Sequence, residues 1–214
     1  MRNRYKVLLL IVLGLVVLLS GFAIYMKFFR DVNKEVNQSS VVHKIEEFGY
    51  TLDDRDSSLM KEEFYKLENI MAEDEINYEE YAKSISKLFV IDLFTIDNKI
   101  NKYDIGSLEY LLDSEKEKFK NIILDTIYDG VLDNSFHDRE QELPIVKIVT
   151  VNSVSKDFYK NGDNLVDAYV IDLTWEYEND LGYDRSALIT LIKDKDKLCV
   201  VEYSPKDINV GEEE

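Results

Sequence analysis

The 214 residues hold one cysteine, two prolines and two histidines, and each scarcity closes off a class of protein. A single Cys199 rules out an internal disulfide framework, and with only His43 and His137 to join it no Cys/His zinc cluster can be assembled. Cys199 lies in the apolar run Leu198-Cys199-Val200-Val201 and reads as a buried small side chain, with an intermolecular disulfide as the alternative outside a cell. Both histidines are isolated, one in a polar spacer and one in a charged loop, and are expected in solvent. No G-x-G-x-x-G, Walker loop, G-x-S-x-G or H-E-x-x-H occurs. The clusters Asp53-Asp54-Arg55-Asp56 and Asp194-Lys195-Asp196 lack the glycine and terminal glutamate of an EF-hand loop, so neither a metal ion nor a cofactor is expected. Basic residues are in deficit as well. The 26 Lys and Arg face 43 Asp and Glu, for a formal net charge of −17, which sets the chain against nucleic acid and anionic lipid headgroups as partners.

Charge is missing altogether from Val7 to Met26. At ~1.5 Å rise per residue such a run matches the ~30 Å hydrocarbon core of a bilayer. It is too long for the apolar core of a cleaved secretory signal, and Phe22 stands where a lipoprotein's acylated cysteine would have to be. The expectation is a retained anchor over residues 7–29, with Phe28 and Phe29 at the far interface. Arg2, Arg4 and Lys6 in the tail of residues 1–6 balance Lys27, Arg30 and Lys34 beyond the span. A short basic tail is hard to translocate, whereas long domains cross regardless of charge. The N-terminus is therefore placed in the cytoplasm and the remainder outside, as a single-pass protein of the cell membrane. Two prolines and a composition rich in Lys, Asn, Ile and Tyr suggest a bacterial source with an AT-rich genome, so Asn37-Gln38-Ser39 is not read as a glycosylation acceptor.

Fourteen Tyr, ten Phe and one Trp exclude a disordered chain beyond the anchor. Residues 30–43 read as a spacer, 44–205 as one folded domain and 206–214 as an acidic tail. A first helix is expected over Ser58 to Met71, capped by Asp56, Ser57 and Ser58, with Met60, Phe64, Leu67, Ile70 and Met71 in one stripe. A second starts at the Asn77/Glu80 capping box, with Ile76 and Tyr81 as a hydrophobic staple, and runs to about Asp97. Its core face carries Tyr81, Ile85, Leu88, Phe89 and Ile96, and it sets Asp92 among them. A third follows a Ser114/Glu117 capping box and ends near Asp133, burying Phe119, Ile122, Ile123, Ile127 and Val131.

From Leu143 the hydrophobic period changes to two. Strands are expected over Val146 to Val154, Val166 to Glu178, Arg185 to Lys193 and Leu198 to Tyr203, with Lys156 to Leu165 as a connection around Asn161-Gly162-Asp163. Short links between consecutive strands make an antiparallel meander of four. In the second strand Tyr169, Ile171, Leu173, Trp175 and Tyr177 share one face, opposite Asp172.

Three helices followed by four antiparallel strands give an α+β fold with the helices covering one face of a curved sheet. This order, with a single N-terminal anchor and the aromatic-rich strand Tyr169 to Tyr177, resembles the NTF2-like superfamily of cone-shaped α+β domains. Within it the chain resembles the membrane-anchored extracytoplasmic domains of VirB8 and TcpC type, assembly factors of conjugative secretion systems. The resemblance covers roughly residues 46–205 and contains no catalytic motif. It implies a scaffold or interaction module holding other envelope proteins, with a homo-oligomer left open. Enzymes of similar fold use a carboxylate inside the cone, for which Asp92 and Asp172 are the candidates here. For each, the plainer reading is structural: Asp172 solvated or paired with Arg185, and Asp92 in a local pair or cap. The alternative function is a small-ligand-binding or enzymatic cone whose pocket is lined by Tyr169, Trp175 and Tyr177 with these two carboxylates. A filled cone favours the scaffold.

Overall fold

The computed structural model describes residues 39–206, together with Lys6, Gly14, Leu15, Leu19 and Ser20. The expected anchor, apart from four of those positions, and the end of the acidic tail lie outside the described residues. Among the described residues no helix is long and apolar enough to cross a membrane. The chain divides after Asn37, and all the elements below belong to the second unit.

That unit begins with a hairpin of β1 (Val41–Ile45) and β2 (Tyr50–Asp53). The tight turn is closed by the Gly49 amide donating to Ile45 O at 2.9 Å, with Gly49 at φ 71°, where a side chain would be strained. Tyr50 and Leu52 point inward and are fully buried, whereas Val41 and Val42 face water. Strand β1 therefore starts inside the expected spacer, and its outward-facing valines carry none of the periodicity that reveals a strand. His43 is held there too, half-exposed, with Nε2 2.8 Å from a Glu68 carboxylate oxygen.

Helix α1 (Ser58–Met71) has the expected bounds, with Ser57 Oγ accepting from the Met60 amide at 3.1 Å and Met60, Phe64 and Leu67 buried. Helix α2 (Tyr78–Phe94) is capped by Asn77, whose side-chain oxygen accepts from the Glu79 and Glu80 amides. The reciprocal half of the capping box is not made, because the Glu80 carboxylate turns to Lys83 at 2.8 Å. Eleven of the helix's side chains are buried, so it forms the centre of the core, with α1 on one side and the sheet on the other. It ends short of Asp97 because the Ile96 amide donates to Pro144 O.

Helix α3 (Lys116–Leu124) is shorter than its sequence pattern. Two 3-10 turns precede it, Leu108–Tyr110 and Asp113–Glu115, and Ser114 gives it no cap. It stops because Tyr128 swings into the core: its amide reaches back to Ile123 O, and its buried hydroxyl donates to Leu93 O and accepts from the Gly106 amide. Within the helix Ile123 is buried, whereas Ile122 is half-exposed rather than buried as its pattern predicts.

The four-stranded sheet is a meander in the order β3 (Val146–Asn161), β4 (Asn164–Tyr177), β5 (Ser186–Asp194), β6 (Lys197–Pro205). Strand β3 runs through the expected connection to a two-residue Gly162-Asp163 turn, Asn161 pairing with Asn164. Outward from Ala168, the first residue of β4 paired to β5, the β3–β4 ribbon continues to its tip without a third strand, roughly 13 Å at ~3.3 Å per residue, with Tyr159 and Val166 packed against Ala168, Ile192 and Val201. Ile171, Leu173, Trp175 and Tyr177 are buried on the helix side, while Thr174 and Glu176 face water. Trp175 lies 5.1 Å from the Phe94 ring centre.

Candidate functional site

The structure separates the sequence-derived candidates. Trp175 and Tyr177 are packing residues: the Trp175 indole donates to Tyr177 Oη at 2.8 Å, and that hydroxyl donates to Asp184 O at 2.6 Å. Phe94 and Tyr203 fill the space in front of them. Tyr169, further along the strand, is half-buried beneath the Lys156 ammonium. None of the three lines either of the two cavities described below.

Asp172 lies on the opposite face of β4. It does not meet Arg185, because the register pairs Asp172 with Leu188, three residues beyond, or ~10 Å along the strand. Lys206 donates to it instead at 2.7 Å and Asn152 at 3.2 Å, and these hydrogen bonds hold its carboxyl below the ordinary range. Arg185 pairs with Asp180 at 2.7 Å.

Asp92, near the C-terminal end of α2, is the one candidate beside a cavity. Its Oδ1 lies 2.5 Å from the ammonium of Lys99, itself only 6% exposed, and its Oδ2 accepts from the Ser107 amide. Burial is the largest single influence and pulls the Lys99 ammonium down, but the charge and hydrogen bond of Asp92 together with Tyr128 and Asp104 outweigh it and leave the group above its ordinary range. The loop can approach this closely only because residue 106 is glycine. A Cβ there would come within 2.3 Å of Asp92 O.

The cavity is about 240 Å³ and lies between β2 with its following turn, the end of α2 and the loop from Asn98 to Glu109. Five carboxylates face it: Asp53, Asp56, Asp92, Asp104 and Glu109. Glu109 accepts from the Thr51 amide at 3.0 Å and the Thr51 hydroxyl at 2.6 Å, tying the hairpin to the body, and burial pushes its carboxyl up to about 7. Burial raises Asp56 to about 6, against the opposing effect of the Asp53 amide it accepts at 2.7 Å. The Arg55 guanidinium bonds Asp104 at 3.0 Å and Asn98 O, yet its Nε and the Asn98 side-chain oxygen are buried without a protein partner. Such a polar space suits water, which would satisfy both. Among the described residues no three His, Cys, Asp or Glu side chains are grouped to hold a metal ion.

The second cavity is an apolar groove of about 430 Å³ between α3 and β6. Phe119, Ile122, Ile123 and Ile127 form one wall, Val201, Tyr203 and Pro205 the other, and Glu115, Asp184, Glu202 and Lys118 supply its charges. The apolar pattern alone conceals it, because a helix continuing to about Asp133 would bury Ile122 and Ile127. The surplus of apolar residues over what a nine-residue helix can bury is the signal that could have found it.

No family model, curated protein or solved structure matches the chain.

Proposed function

We propose that this chain is a membrane-tethered extracytoplasmic interaction module, a scaffold in a bacterial envelope assembly of the conjugation or secretion type. It would span the cell membrane once, with the N-terminus cytoplasmic and the domain outside, on the strength of the uncharged run Val7 to Met26 and the short basic tail before it. The order of three helices and a four-stranded antiparallel meander supports an NTF2-like domain of the VirB8 and TcpC type.

One observation carries the interaction reading over the pocket reading. Where a ligand-binding cone would be hollow, Trp175, Tyr177, Phe94 and Tyr203 are packed ring to ring, and an apolar groove of about 430 Å³ lies instead between α3 and β6. An apolar surface of that kind marks a site of association. The alternative, a small-ligand or enzymatic site, rests on the polar cavity beside Asp92.

Two measurements on the full chain in its membrane test this. Protease added to intact protoplasts should digest the domain, and protection of the domain would reverse the orientation. A photoreactive amino acid at position 122 should give discrete adducts with other envelope proteins. If position 122 yields no adducts while Asp56→Asn or Glu109→Gln, normally folded, abolishes the cellular phenotype, the interaction reading falls and the polar cavity takes its place.

A further inference from the structure

The groove has a feature that a merely sticky surface lacks, because one wall is the outer edge of a sheet. An edge strand presents alternate backbone N–H and C=O groups with no partner. Strand β6 is paired to β5 on one side. On its other side the chain itself begins to cover it: Leu111 bridges Val200 in parallel, and the Leu112 amide donates to Val200 O at 3.1 Å. The covering segment then turns away at Asp113 into α3. Among the described residues no further backbone hydrogen bond reaches the outer side of β6 between Val201 and Ser204. The apolar floor of the groove lies along this uncovered stretch.

We infer that an extended peptide segment of another protein, alternating aliphatic with basic side chains, completes this edge as an added strand in the groove between β6 and α3. The inference rests on the interaction reading above and names the partner's chemistry. A strand satisfies the free backbone groups, which a docked helix cannot do, because a helix bonds its own. The free stretch from Val201, a bulge residue, to Ser204 runs for roughly 10–13 Å at ~3.3 Å per residue, enough for about two side chains of one face to enter the groove. That face meets Phe119, Ile122, Ile123 and Ile127, and so must be aliphatic. Three of the groove's four charged residues are carboxylates, Glu115, Asp184 and Glu202 against Lys118, so the remaining face should carry Lys or Arg. The same charge argues against a second copy of this chain as the occupant, since its net charge is −17.

The test uses full-length protein in nanodiscs and a displayed library of random octapeptides. Enriched peptides should alternate aliphatic and basic residues with period two. The best of them, synthesised, should slow hydrogen exchange at the outward-facing Tyr203 amide and leave the inward-facing Glu202 and Ser204 amides unchanged. Ile122→Asp, at a half-exposed position that leaves the fold intact, should weaken that peptide at least tenfold. Paired reversal Glu115→Lys with Glu202→Lys should shift enrichment toward acidic peptides. Helical i, i+4 spacing in the enriched set, preference for acidic peptides by the unaltered protein, indifference to both variants, or no enrichment would each overturn the inference. Concentration-dependent dimerisation abolished by Ile122→Asp would overturn it in favour of a second copy. Adducts at position 122 with no strand-like peptide enriched would sink this occupant while leaving the interaction module standing. Strand-like peptides without envelope adducts would do the reverse.

Discussion

Glu109 should make this domain lose stability as pH rises from about 4.5 toward neutrality, the opposite of the usual carboxylate. Burial lifts its carboxyl from an ordinary 4.5 to about 7, so the folded chain holds that proton more tightly than the unfolded one. Its contribution is complete below pH 4.5 and is lost as pH climbs to about 7. At about 1.4 kcal/mol per pH unit, the whole window is worth at most about 3 kcal/mol, and an effective dielectric near 20 in a hydrated cavity trims this to about 1–2 kcal/mol. Glu109→Gln keeps an acceptor for Thr51 but cannot ionise. Urea denaturation of the variant and the parent should therefore coincide near pH 5. By pH 8 the variant should be the more stable by about 1–2 kcal/mol. Reading the difference between the two chains removes every other titrating group, including Asp56, which burial raises to about 6 in the same direction. A difference that stays constant from pH 5 to pH 8, or that favours the parent at pH 8, would refute the buried-carboxyl reasoning.

Two further expectations follow from packing. Trp175→Ala should cost about 3–5 kcal/mol by far-UV circular dichroism, since Trp175 is 3% exposed against Phe94; an unchanged midpoint would put the aromatic face of β4 in water. Gly106→Ala should cost about 1–3 kcal/mol, because the new methyl meets Asp92 backbone that cannot rotate away, and a neutral result would mean the loop stands further from α2.

What could be read from the sequence was whatever a local pattern decides. Ser57 and the stripe Met60, Phe64 and Leu67 define α1, the Asn77 cap starts α2, and the alternation of β4 selects its buried face, all signals complete within a few residues. The misses depend on distant partners. Helix α3 stops where Tyr128 finds Leu93 O and the Gly106 amide, 35 and 22 residues away in sequence. Strand β1 is exposed on both its valines and exists by pairing with β2. The outer half of β3, from Ser155 to Asn161, owes its form to the Gly162-Asp163 turn, to pairing with β4 and to Tyr159 packing against Ile192 and Val201, far along the chain. The groove follows in part from the first of these, for Ile127 lies beyond the end of the helix and lines it beside the half-exposed Ile122.

Asp92 looked chemical in the sequence because a carboxylate stood among apolar neighbours, and its surroundings now supply a structural reason for it. Lys99 is 6% exposed and, among the described residues, Asp92 is the one carboxylate in an ion pair with it, so Asp92→Asn strands a buried charge, a change that typically costs about 3–5 kcal/mol. Loss of cellular function in that variant would therefore say nothing about catalysis. Lys99→Met beside it removes the stranded charge, and replacing a whole buried pair with an apolar group of similar length is often neutral. The double variant Asp92→Asn with Lys99→Met should then regain most of the lost stability and, with it, the phenotype, measured by urea denaturation and by complementation. Recovery of stability without recovery of phenotype would return Asp92 to the list of acting groups and with it the polar cavity as the working site.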